Sequence, residues 1–276
     1  MEALDLQSFL LFAAGLAVTG AFAGVLAGLL GVGGGIVIVP VLSFMLEFLK
    51  FSPNVAMHVA VGTSLLTIIP TSITSLRAHN KRGAMDKDLI RAWAPYVAFG
   101  AAIGGIAAHF ISGASLKSVF GFVALAVAVN MLLPKKIVLG EHLPYSIPFR
   151  LGVPGMIGFI SSLMGIGGGS LTVPTLAAYS YPVHKAVGSS SAFGLIISLP
   201  AVIGFVITGW GEAGLPPLSL GYVNLLAAAL IIPLTMTTAK LGVKLAHSLK
   251  PEYLKRAFAV FLMITSIRML WPLFAG

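Results

Sequence analysis

The stretch Gly31-Val32-Gly33-Gly34-Gly35-Ile36-Val37-Ile38-Val39-Pro40 returns 134 residues later as Gly165-Ile166-Gly167-Gly168-Gly169-Ser170-Leu171-Thr172-Val173-Pro174, with six of the ten residues unchanged. Each copy interrupts an apolar run. Clustered glycines break the helix such a run would otherwise form and leave backbone amides without partners. Facing lipid, that backbone is very costly; it is tolerated where it is packed in protein or lines a polar cavity. A helix break at matching points of two halves points to the substrate site of a membrane carrier.

The rest of the chain agrees with a bilayer environment. Of the 276 residues 58% are hydrophobic and 9% charged, and mean hydropathy is +1.01, which excludes an ordinary soluble domain. The net charge of +9 does not mark a nucleic-acid binder, because the basic residues fall in short gaps between apolar runs instead of forming a patch interleaved with aromatics. The absence of cysteine excludes disulfides and thiolate metal sites. No cofactor or metal motif is present. The start, Met1-Glu2-Ala3-Leu4-Asp5, is acidic where a signal peptide is basic, so the first apolar run is expected to remain as a span.

Hydropathy divides the chain into ten apolar segments, near 8–30, 34–48, 56–76, 89–111, 115–133, 149–165, 168–182, 185–209, 218–246 and 254–273. The basic gap Arg77, Lys81, Arg82, Lys87 and Arg91 belongs on the cytoplasmic side. Alternation then places Lys135, Lys136, Arg150, Lys185, Lys244, Lys250, Lys255 and Arg256 there too. Outside fall Lys50 and Lys117 with Glu2, Asp5, Glu47 and Glu212. The expected architecture is an all-α polytopic membrane protein of about ten segments, with both termini extracytoplasmic. Five segments per half is an odd number, so the halves run in opposite directions as an inverted repeat. Residues 1–134 form the first repeat, 135–147 a cytoplasmic linker and 148–276 the second. A second pair of phrases supports the duplication: His58-Val59-Ala60-Val61-Gly62-Thr63-Ser64 and His184-Lys185-Ala186-Val187-Gly188-Ser189-Ser190, offset by 126 residues.

The pieces beside the second glycine phrase are short. A helix over Phe149–Gly165 rises about 24 Å and one over Gly168–Tyr181 about 20 Å, against roughly 30 Å of hydrocarbon. Each phrase is therefore expected to turn the chain within the membrane as a broken or re-entrant helix pair.

Where the helix restarts, its first N–H groups lack acceptors and carry the positive end of the helix dipole, which favours an anion. The candidate substrate-binding residues are Gly33, Gly34 and Gly35 with Thr63 and Ser64 in one half, and Gly167, Gly168 and Gly169 with Ser170, Ser189 and Ser190 in the other. No acidic residue lies at the centre of an apolar segment, where a cation pathway or carboxylate relay needs one. His58 and His184 open the third helix of each half; coupling of a proton to anion movement and plain interfacial capping both remain open for them. Lys240 and Arg268 attract substrate or snorkel to the interface. Glycines that merely permit close helix packing are the simpler reading of the repeated phrase.

The two glycine phrases, with the His58–Ser64 and His184–Ser190 stretches behind them, resemble those of the sulfite exporter TauE/SafE family. The resemblance implies a multi-pass permease of an inner (plasma) membrane for small sulfur-containing or organic anions such as sulfite or sulfonates, without selecting one. The expected partners are a small anionic substrate and the lipid bilayer, with no nucleic acid. Two mechanisms fit: a secondary transporter working by alternating access at a midplane site, and a passive anion channel. An intramembrane hydrolase does not fit, for the chain has no Gly-x-Ser-x-Gly elbow, no His-Glu-x-x-His and no acidic partner at depth.

Overall fold

The computed structural model describes residues 6–31, 33–132, 138–141, 143–144, 146–246 and 251–274. These form ten α-helices: α1 (Leu6–Leu30), α2 (Gly35–Phe48), α3 (Pro53–Asn80), α4 (Lys87–Ala107), α5 (Gly113–Leu132), α6 (Ile147–Met164), α7 (Gly169–Ala178), α8 (Val183–Thr208), α9 (Leu225–Ala246) and α10 (Pro251–Phe274). Each expected apolar segment holds one of them.

The ninth segment differs at its start. It was expected from residue 218, but α9 begins at Leu225, behind a small antiparallel hairpin of β1 (Ser219–Leu220) and β2 (Val223–Asn224) that pairs Ser219 with Asn224 and Leu220 with Val223. Leu218 at φ +60° and Gly221 at φ +56° are both left-handed, which excludes a helix through them, and Gly221 turns the hairpin. The helix begins only after Asn224, which caps it by accepting from the Ala227 N–H through Oδ1 at 2.9 Å.

Among the described residues seven helices are long and apolar enough to cross a membrane. The 14-residue α2 and 10-residue α7 rise only about 21 and 15 Å, too little to span alone. Phe99, Ile103, Ile203, Ile207, Leu241 and Ile264 point outward and are exposed. An apolar outer surface of this kind is stable against lipid tails and not against water. The chain is a multi-pass, all-α membrane protein.

Helices α3 and α8 cross in the interior, and α3 is buried along most of its length. Around them α1 packs on α9, α4 on α6, and α5 on α10; α9 also meets α3, α4 meets α8, and the short α2 and α7 lie on α3 and α8. Exchanging every helix for the one five places along carries α1–α9 onto α6–α4, α3–α9 onto α8–α4 and α2–α3 onto α7–α8. It returns α3–α8 and α5–α10 onto themselves. Small residues permit the closest crossings, since a Cβ on Gly24 of α1 would lie 2.6 Å from the Thr235 carbonyl oxygen, and one on Gly158 of α6 2.1 Å from that of Val97.

Candidate functional site

Helix α1 stops at Gly31, at φ +67°, whose N–H reaches the Ala27 carbonyl at 3.0 Å. Helix α6 stops in the same way at Gly165, also at φ +67°, with the Ile166 N–H on the Ser161 carbonyl at 3.0 Å. The chain restarts as α2 from Gly34 (φ +79°) and as α7 from Gly168 (φ +74°), N-caps that bring no side-chain acceptor. A side chain in that left-handed region costs roughly 1–2 kcal/mol, which is why glycine stands at these positions. The first N–H groups of α2 and α7 have no intrahelical acceptor.

The two turns touch. A Cβ on Gly33 would lie 3.3 Å from the Cα of Gly167, and one on Gly35 2.1 Å from the Gly165 carbonyl oxygen. Gly33, Gly34, Gly35, Gly167, Gly168 and Gly169 are all buried. Ile68 of α3 lies against Gly33 and Ile197 of α8 against Gly168, and the turns are closed off from solvent.

Serines of each half bond the turn of the other. Ser64 Oγ on α3 donates to the Gly165 carbonyl at 2.8 Å, while Ser190 Oγ on α8 faces the Gly31 carbonyl at 3.2 Å and that of Val187 at 2.7 Å. One residue earlier the pattern repeats with other partners. Thr63 Oγ1 accepts from the Asn224 N–H at 2.8 Å and Ser189 Oγ from the Asp86 N–H at 3.0 Å. Asn224 and Asp86 are the caps of α9 and α4, so each hydroxyl fixes the start of a helix in the opposite half.

Ser170 is different. Its Oγ, with Ser161 Oγ and Thr172 Oγ1, is buried without a hydrogen-bond partner among the described residues. Ser161 and Thr172 were not expected at the site; the signal in the sequence is that the second copy places hydroxyls where the first has Ala27 and Ile38.

The paired histidines part ways. His184 is exposed at the start of α8. His58 is buried, with Nδ1 2.7 Å from the Asn54 carbonyl oxygen, Nε2 2.9 Å from that of Ala108, and its ring 4.8 Å from the Tyr222 ring. Arg268 lies 4.4 Å over the Phe44 ring near the end of α10, and Lys240 is exposed. The described carboxylates sit at helix ends and in loops. Glu47 pairs with Lys117, and Asp86 caps α4. Chiefly the Leu89 N–H, then the Tyr181 hydroxyl, hold the Asp86 carboxyl below its ordinary pKa.

An apolar-faced bundle with two broken helices meeting in its interior is an architecture of the polytopic membrane transporter class. The family model described as Sulfite exporter TauE/SafE matches residues 16–269, and the chain belongs to that family. It is 35% identical over 253 residues to a probable membrane transporter protein of Haemophilus influenzae, covering 91% of this chain and 95% of that one. To probable membrane transporter protein MJ0441 of Methanocaldococcus jannaschii it is 32% identical, with 95% and 97% covered. To probable membrane transporter protein YunE of Bacillus subtilis it is 27% identical, with 93% and 96% covered. No solved structure matches the chain.

Proposed function

We propose that this protein is a secondary transporter of a small oxyanion, sulfur-containing or organic, working by alternating access in an inner membrane with both termini outside. Its halves, residues 1–134 and 148–276 joined by the linker 135–147, act as an inverted repeat. The exchange of helices five places apart supports that reading.

The observation that carries the proposal is the contact between the two glycine turns, each hydrogen-bonded to the central helix of the other half. Helix starts supply N–H donors at the join, and no carboxylate competes there. Rocking one half against the other changes the register between α3 and α8 and opens this join to one side at a time. Closure by Ile68 and Ile197 corresponds to an occluded state and disfavours a continuously open pore. His58, sealed by two carbonyls, and the exposed His184 are the groups through which a proton would couple.

A thermal-stability screen of the purified protein against sulfite, thiosulfate, methanesulfonate and acetate tests the reading. At least one anion is expected to raise the melting temperature in a saturable way. No shift with any of them would contradict an anion site.

A further inference from the structure

The two glycine turns share a backbone but not a chemistry. Beside Gly168 lie Ser161 in the last turn of α6 and Thr172 in the first turn of α7, both at 0% exposure, and Ser170, at 4%, follows Gly168 by two residues in the chain. The Ser161 and Thr172 hydroxyl oxygens both lie 3.7 Å from where a Cβ on Gly168 would sit. All three hydroxyls lack a hydrogen-bond partner among the described residues, whereas buried polar atoms are nearly always paired. Ser162, beside them on α6, donates to the Phe159 carbonyl at 2.8 Å in the ordinary way. In the first repeat the same three positions are Ala27, Ile36 and Ile38, and the hydroxyls that do stand near the first turn, Ser64 and Ser190, are already bonded to the Gly165, Gly31 and Val187 carbonyls.

We propose that the oxyanion is held at the second turn alone, by the Ser161, Ser170 and Thr172 hydroxyls together with the free N–H groups at the start of α7, and that the first turn is a buttress. This rests on the anion-transport reading above and adds to it an asymmetric site with a stated preference. Three hydroxyl donors beside a helix N-terminus match a head with three acceptor oxygens, a sulfite or sulfonate, better than the two of a carboxylate. Helices α6, α7 and α8 contain no aspartate or glutamate, so no carboxylate on these three helices repels the anion.

The test measures binding of methanesulfonate, sulfite and acetate to purified protein in detergent for the wild type, Ser161→Ala, Ser170→Ala, Thr172→Val, Thr172→Ser and Ser162→Ala. The wild type is expected to prefer the two three-oxygen anions. Ser161→Ala, Ser170→Ala and Thr172→Val are each expected to weaken their binding by about tenfold. Thr172→Ser restores it and Ser162→Ala leaves it unchanged. The ligand-free melting temperatures of the three hydroxyl-deleted proteins should equal or exceed that of the wild type, because each has lost an unpaired buried polar group. Lower ligand-free melting temperatures would mean the hydroxyls are structural, and would overturn the assignment. Equal binding by the wild type and the combined Ser161→Ala, Ser170→Ala, Thr172→Val protein would overturn it while leaving anion transport standing. A wild type that binds none of the anions would remove both.

Discussion

At Gly168 a Cβ would come within 2.4 Å of Ile197 Cδ1 on a backbone at φ +74°, and at Gly34 within 2.8 Å of the Ala23 carbonyl oxygen at φ +79°. Alanine at either position therefore meets both strain and a contact. Gly34→Ala and Gly168→Ala are expected to destabilise by at least about 1–2 kcal/mol, read as a lower melting temperature in detergent. Unchanged midpoints in both would mean the left-handed turns are not maintained. Ser64→Ala and Ser190→Ala each take a donor from a turn carbonyl and are expected to cost about 1 kcal/mol. Their bonds brace the same contact between turns, so the double variant should depart from additivity in a double-mutant cycle; strict additivity would separate the two bonds.

At the scale of the helix, termini carry most of the specific chemistry. Asp86 caps α4, accepting from the Asp88 and Leu89 N–H groups at 3.1 and 3.0 Å, and its own N–H is held by Ser189 across the repeat boundary. Asp86→Ala is expected to cost about 1 kcal/mol of thermal stability and Asp86→Asn much less. Folding lowers the Asp86 pKa from an ordinary 3.8, so the carboxylate stabilises the protein above that value and loses its contribution as pH falls through the lowered one. The stability difference between the wild type and Asp86→Asn should therefore shrink on acidification below about pH 4; a difference that grows there would contradict the sign. Nine of the ten helix starts were legible to within a few residues because apolar composition and basic gaps carry the signal. The ninth was not, since Leu218, Leu220 and Val223 read as apolar span while left-handed Leu218 and Gly221 put them in a hairpin and the helix starts at Leu225.

For the whole molecule, the contact between the two glycine turns joins two phrases whose likeness is visible in the chain alone. What was not legible was pairing across long separations. Thr63, Ser64, Ser189 and Ser190 read as free donors in sequence, and the fold gives each a backbone partner more than 100 residues away. Ser161 lies ahead of the repeated phrase and Thr172 inside its apolar end, so neither residue's burial beside Gly168 is visible before the chain is folded. Orientation is open to direct test in this cysteine-free chain. In intact cells a membrane-impermeant maleimide should label Ala213→Cys, exposed between α8 and α9, and spare Lys81→Cys, exposed between α3 and α4; the reverse would invert the topology. The most direct measurement of the central claim is counterflow of labelled sulfite into proteoliposomes carrying the wild type, Gly34→Leu or Gly168→Leu. Saturable counterflow by the wild type, lost by at least about a hundredfold in both membrane-inserted variants, is the predicted result. Wild-type counterflow in both variants would contradict it and take the glycine turns out of the mechanism.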